Sequence, residues 1–192
     1  MLDNLRNNTI ILGSASPRRK ELLSGLGIDF TVQSIDVEET YPDYLRGVQI
    51  PVYLAEKKAN AFADHLADNT ILITADTIVL LDEQVLGKPV DREDARRILN
   101  SLSGRNHLVI TGVCIRNASK SKSFHAVSEV RFAILKEEEI EYYLDHYKPY
   151  DKAGSYGIQE WIGYIGVEQI TGSFYNVMGL PVQRLYNELK KW

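Results

Sequence analysis

Two hydrophobic periods, one near 2 and one near 3.6, interleave along the whole 192-residue chain. Thr9 to Gly13 reads as a short buried strand. Ser16-Pro17 then opens a helix, with Ser16 as N-cap and Pro17 at the first helical position. Leu22, Leu23 and Leu26 form its apolar face, and Gly25 and Gly27 help to end it. Residues 30–38 predict a strand, and residues 51–67 a helix that aligns Ala55, Ala59, Phe62, Ala63 and Leu66. The β-branched density of residues 70–82 predicts a central buried strand. Residues 91–104 predict a helix capped by Asp91, faced by Ala95, Ile98, Leu99 and Leu102, and stopped by Gly104. Strands at 107–116 and 122–134 are joined by a polar NASKS turn as a hairpin. A helix over 136–147 runs through Ile140, Tyr143, Leu144 and Tyr147, followed by a Pro/Gly-rich loop and a strand at about 161–169. A last helix starts near Pro181 and presents Val182, Leu185 and Leu189.

Helices and strands are mixed throughout, with long adjacent antiparallel strands in the middle. That order predicts a mixed α/β (α+β) fold rather than a pure doubly wound sheet. No composition break marks a domain boundary, so residues 1–192 read as a single domain. At this length a compact chain buries roughly 70% of its unfolded surface, and no disulfide or metal staple is required.

Charge and cysteine content narrow the function classes. With 22 Lys+Arg against 26 Asp+Glu the net charge is −4, which disfavours duplex nucleic acid or an anionic membrane as the main partner. Cys114 is the sole cysteine, so neither a disulfide framework nor a Cys-rich zinc site can be built, and VITGVCIRN makes it a buried small hydrophobe. His65, His107, His125 and His146 are scattered singly, which disfavours a histidine metal cage. The short apolar piece Ile10 to Leu12 is followed by basic residues, the wrong order for a signal peptide, and no run approaches a membrane span. A cytoplasmic protein is expected.

Four segments carry unusual chemistry. GSASPRRK (13–20) places Arg18, Arg19 and Lys20 in the first turn of a helix, where the macrodipole favours anions. Helix-start N–H groups, two guanidiniums and the Ser14 and Ser16 hydroxyls form a phosphate cradle, and a bound anion would remove the conflict. It is not a Walker A loop, because GxxxxGK[ST] is absent, and GLG at 25–27 lacks the context of a dinucleotide fingerprint. TADT (74–77) buries Asp76 among Ile73, Ile78 and Val79, which is costly without a partner. Asp76 reads as a backbone-bonded carboxylate, a Mg²⁺ ligand or a general base. Lys57, Lys58, Lys88 (in LGKPV) and Lys152 (in DKAGSYGIQ) read singly as solvated cations, and with Arg18 and Arg19 as candidates for a polyphosphate. In KAGSYGIQ (152–159), Gln159 offers a donor and an acceptor that suit an imide or amide base edge.

SASPRRKELL, VEE, LAEKKA, ADT, LGKP, LSGR, DKAGSYGIQ and NVMGLP occur in one order, from Leu12 to about Leu185. In that order the chain resembles the Maf family of nucleotide pyrophosphatases. The resemblance implies an inosine-triphosphatase-like fold, with an elongated mixed sheet flanked by helices, a cleft between two lobes and a homodimer. It implies hydrolysis of a nucleoside triphosphate to the monophosphate and pyrophosphate, and GIQ with NVMGLP points to the dTTP and UTP branch. The 7-methyl-GTP branch and a nucleotide-binding inhibitor of septum formation that needs no turnover are the alternatives. The resemblance assigns catalysis to Asp76, specificity to Arg18, Thr77 and Gln159, and metal binding to Asp76 with Glu38, for Mg²⁺ or Mn²⁺. Phosphate binding falls on Ser14, Ser16, Arg18, Arg19, Lys58, Lys88 and Lys152. Glu160 departs from the Gly that follows GIQ in that branch, which places a carboxylate beside the expected base pocket.

Overall fold

The computed structural model describes residues 2–62, 66–67 and 69–192. Ala63 of the expected helix face, and His65, lie outside them. Strands β1 (Thr9–Gly13), β2 (Thr31–Gln33), β3 (Thr70–Leu81), β4 (Gln84–Leu86), β5 (Asn106–Arg116), β6 (Ser121–Phe132) and β7 (Val167–Thr171) form one sheet. Their order is β2-β1-β3-β5-β6-β7, with β4 added to β3. β1 is parallel to β2 and β3, whereas β3–β4 and β6–β7 are antiparallel, so the sheet is mixed as expected. The helices are α1 (Pro17–Ser24), α2 (Gln49–Asn60), α3 (Arg92–Leu102), α4 (Glu137–Tyr147), α5 (Trp161–Gly166), α6 (Phe174–Met178) and α7 (Val182–Leu189). No helix among the described residues is long and apolar enough to cross a membrane.

The chain divides into two compact units. The first comprises Met1–Asp76, Thr111–Ala126 and Gly179–Trp192, and the second Thr77–Ile110 and Val127–Met178. In the first unit, Ile11, Leu72 and Cys114 of the sheet meet Ala55, Ala59 and Phe62 on and just after α2. The small residues let α2 lie close to the strands. Gly112 is the extreme case: a Cβ there would sit 2.3 Å from the Pro51 carbonyl, so the backbones of β5 and α2 meet with nothing between them. The single cysteine is the small buried hydrophobe that its strand context predicts, 1% exposed.

In the second unit, α3 packs on α4. Asp91 caps α3 as predicted, its Oδ1 accepting the Asp94 N–H at 2.8 Å. Arg92 bonds Glu141 (2.6 Å) and Asp145 (2.7 Å), so the acidic run of α4 is matched by the basic face of α3. His107 is buried at the start of β5, edge-on to Phe132 and Tyr156, with Nε2 2.7 Å from the Tyr156 hydroxyl.

Burial lowers the His107 pKa from 6.5 to about 4. The unfolded chain therefore binds this proton more readily than the native one between those values. The group's contribution is fully present above pH 6.5 and is lost as pH falls toward 4, a total of about 3 kcal/mol at 1.36 kcal/mol per unit. Denaturant titrations at pH 7 and pH 4.5 should show this loss in the wild type and a shallower one in His107→Gln. Equal slopes in the two proteins would remove His107 as the cause.

Several expected elements change on folding. The strand at about 161–169 is a helix followed by a strand, because Gly163 lets the chain turn tightly against the Ile158 carbonyl and Ile162 and Gly166, four apart, share the buried side. A short apolar run does not distinguish the two periods. The strand over 30–38 keeps only Thr31–Gln33, all exposed, since its pairing with β1 ends at Gly13. β4 and α6 lie in segments too short to show a period.

Candidate active site

The first unit builds its site on the face of β3 that meets α2. Thr74 Oγ1 donates to the Ala55 carbonyl at 2.7 Å and fixes that face. Side chains alternate along a strand, so Asp76, two residues on, points the same way. Lys58 lies one helical turn past Ala55 and reaches it: Nζ is 2.5 Å from Asp76 Oδ1 and 2.8 Å from Glu39 Oε1. The Asp76 side chain is 9% exposed and that of Lys58 16%, so solvent screens the pair little. Burial raises the Asp76 pKa above the ordinary carboxylate value, while Lys58 and Arg19 pull it back.

The segment after β1 supplies the cations. Pro17 occupies the first helical position as predicted, but the Ser16 side chain makes no capping bond, and no acidic residue stands in the first turn of α1. The Ser16 N–H instead donates to Ser14 Oγ at 3.2 Å. Arg19 Nε donates to the Gly179 carbonyl at 2.9 Å, and Nη1 lies 3.5 Å from Ser14 Oγ. Burial lowers the Arg19 pKa; Asp76 opposes this, Arg18 adds to it, and Glu39 opposes it. Arg19 thus feels one buried carboxylate and the like charge of Arg18 at the positive end of a helix, an arrangement that a polyanion would relieve.

The second unit organises the 152–160 loop. The Lys152 side chain is 9% exposed, with Nζ 2.7 Å from Asp151 Oδ1 and 3.1 Å from Glu160 Oε1. Tyr143, buried on α4, donates its hydroxyl to Glu160 Oε2, and its oxygen accepts the Gly157 N–H at 3.0 Å. Burial, reinforced by Glu160, raises the Tyr143 pKa, so the hydroxyl stays protonated. Both side chains crowd Gly157: a Cβ there would stand 2.7 Å from Glu160 Cδ and 3.1 Å from Gln159 Nε2. Among the described residues Gln159 Oε1, which is buried, has no hydrogen-bond partner. Gln159 also lines a cavity of about 400 Å³ with Ile158, Tyr164, Val167, Ile170 and Phe174 among its walls. Asn176, in the NVMGLP segment, is a staple: Nδ2 donates to the Val109 carbonyl and to Ser128 Oγ, both at 3.0 Å.

The first unit thus gathers Asp76, Lys58, Arg19 and Ser14, with Arg18 half-buried beside Arg19 and Ser16 contributing its N–H. Glu38 is exposed, and its neighbour Glu39 makes the contact with Lys58. Lys57 ties the same segment down through the carbonyl and hydroxyl of Thr40, each at 3.0 Å. In the second unit Thr77 is half-buried, Lys88 is exposed, and Lys152 is committed to carboxylates. Sequence reasoning missed Glu39 and Tyr143. VEE does not say which glutamate reaches Lys58 once the strand has ended, and Tyr143 reads as one more apolar position of a helix face.

Fold and site define a mixed α/β protein with a cationic cluster around a buried aspartate. The chain belongs to the Maf-like protein family, which it matches over residues 9–192. It is 57% identical, over all 192 residues and the full length of both chains, to a Bacteroides fragilis (strain YCH46) protein named dTTP/UTP pyrophosphatase. A Parabacteroides distasonis protein of the same name is 60% identical over 191 residues, 99% of each chain. A solved dITP/XTP pyrophosphatase from Mycobacterium abscessus is 14% identical, covering 94% of this chain and 92% of its own, with a TM-score of 0.47.

Proposed function

We propose that the protein hydrolyses dTTP and UTP to the monophosphate and pyrophosphate. The observation that carries this reading is the buried Asp76 carboxylate between Lys58 and Arg19, next to the serine and arginine groups that precede and open α1. The names of the full-length relatives support the substrate. Water attacks the α-phosphorus, the bond to the bridging oxygen breaks, and pyrophosphate leaves. Lys58 occupies Asp76 Oδ1, so Oδ2 takes the proton of the attacking water. A carboxylate whose pKa burial has raised is better matched to that task than an exposed one. Arg18, Arg19 and the Ser14 and Ser16 groups hold the phosphates, with Lys88 as a further cation. Gln159 and Thr77 read the base, and a pyrimidine enters the cavity that Gln159 lines.

Among the described residues no three His, Cys, Asp or Glu side chains gather as a metal site, but Asp76 and Glu39 converge on Lys58 Nζ. Two carboxylates suit Mg²⁺ or Mn²⁺, since Mg²⁺ commonly takes one or two and completes its shell with phosphate oxygens and water. Asp76 with Glu39 or Glu38 would hold the cation, which when bound would neutralise phosphate charge.

Incubation with dTTP or UTP and Mg²⁺, with product identification, tests the reaction. Monophosphate plus pyrophosphate supports it; diphosphate plus orthophosphate overturns it. Gln159→Ala should lower the preference for UTP over CTP by roughly tenfold, the scale of losing one base-edge contact. An unchanged ratio would remove Gln159 from base reading.

A further inference from the structure

The Gln159 acceptor is not fixed by a bond of its own: among the described residues Oε1 is buried without a partner, and Nε2 lies beside Gly157. A side chain that discriminates bases needs its donor and acceptor held in place, because a rotated amide presents the opposite pattern. The restraint must come from the loop around it. That loop is tied at both ends of the 157–160 turn. The Glu160 N–H donates to the Gly157 carbonyl at 3.0 Å, and the Gly157 N–H donates to the Tyr143 hydroxyl at the same distance. The Tyr143 hydroxyl in turn donates to Glu160 Oε2, and Lys152 Nζ holds Oε1 at 3.1 Å. The Gly163 N–H bonds the Glu160 carbonyl at 2.8 Å and joins the turn to α5. A phenol on α4 and a carboxylate at position 160 thus close a ring around the base-reading residue.

We infer that Tyr143 and Glu160, backed by Lys152, are positioning residues that set the orientation of Gln159 and through it the choice of base. Glu160 faces its own loop's lysine rather than acting as a bare charge beside the base. Lys152 serves this network, not the phosphates. The inference rests on the dTTP/UTP reading.

The test measures kcat and KM for UTP and CTP, by pyrophosphate release, with thermal melts for each protein. Wild type, Tyr143→Phe, Glu160→Gln and Glu160→Ala are compared. A glutamine at 160 still accepts the Tyr143 hydroxyl, whereas alanine does not. Tyr143→Phe and Glu160→Ala should raise KM for UTP about tenfold, with kcat reduced less than threefold. Their UTP-to-CTP ratio of kcat/KM should fall about tenfold, and Glu160→Gln should restore most of it. A purely structural role predicts lower melting temperatures and equal losses with both nucleotides, and that result overturns the inference. So does an unchanged ratio in folded Tyr143→Phe. A wild type that shows no preference for UTP overturns the underlying reading instead, and is seen before any variant is made.

Discussion

Asp76→Asn should lower pyrophosphate release from UTP by about 10³-fold or more, the scale of removing a general base together with its charge. The same change should leave the melting temperature at pH 7 equal to that of the wild type or higher. The second expectation follows from the first unit's electrostatics. Burial raises the Asp76 pKa in the folded protein, so the ionised carboxylate costs the fold stability that an amide of the same shape does not. The sign is that of a raised group. Its stabilising contribution is complete below the unfolded value of 3.8 and is lost as pH rises through the folded value. The wild type should therefore gain on Asp76→Asn as pH falls toward 4, in the opposite sense to the His107 effect, which the two proteins share. Lys58 keeps Glu39 as a partner in the variant, which limits the cost of stranding its ammonium. An enzyme that stores instability at its reacting group trades stability for rate. Near-wild-type turnover in the variant would dismiss Asp76 as the catalytic group. A variant that melts well below wild type at pH 7 would show that the Lys58 pair outweighs the desolvation of Asp76.

Much of this arrangement was legible in the chain, for physical reasons that differ from place to place. Ser16-Pro17 and Asp91 mark helix starts because they answer a local need of free N–H groups or a preset φ, and both fall where expected. Asp76 stood out because a carboxylate inside an apolar strand requires a partner, and that logic holds without knowing the partner. Its partner Lys58 was one of several lysines, and only the alternation of Thr74 and Asp76 against the Ala55 turn singles it out. That register depends on how closely α2 approaches the sheet, which rests on Gly112 meeting Pro51 and on Ala55 and Ala59 meeting Leu72 and Cys114, segments distant in sequence. Residues 161–169 misled because WIGYIGVEQ carries too few apolar positions to fix a period. Glu160 looked like an intruder in a base pocket because its partners, Tyr143 and Lys152, are chosen by the packing of α4 on the loop rather than by any local motif.

Lys58→Met should cost about 10² in kcat/KM at pH 7 and should move the acid limb of the pH profile toward neutrality. Methionine preserves an unbranched stem and removes the ammonium. Without it Asp76 loses the positive charge that opposes burial most strongly, together with a hydrogen bond to Oδ1, and keeps only the weaker attraction of Arg19. Its pKa then climbs further, and a larger fraction of the enzyme carries a protonated, inactive carboxyl at any given pH below neutrality. Raising the pH should recover part of the lost rate, which distinguishes a misplaced pKa from a lost phosphate contact. Loss of a phosphate contact alone would raise KM by the same factor at every pH. Lys58→Arg should keep the acid limb near its wild-type position, because it restores the charge, while losing rate through the altered reach. An acid limb that stays in place in Lys58→Met, with activity reduced uniformly, would assign Lys58 to the substrate and leave the tuning of Asp76 to Arg19 alone.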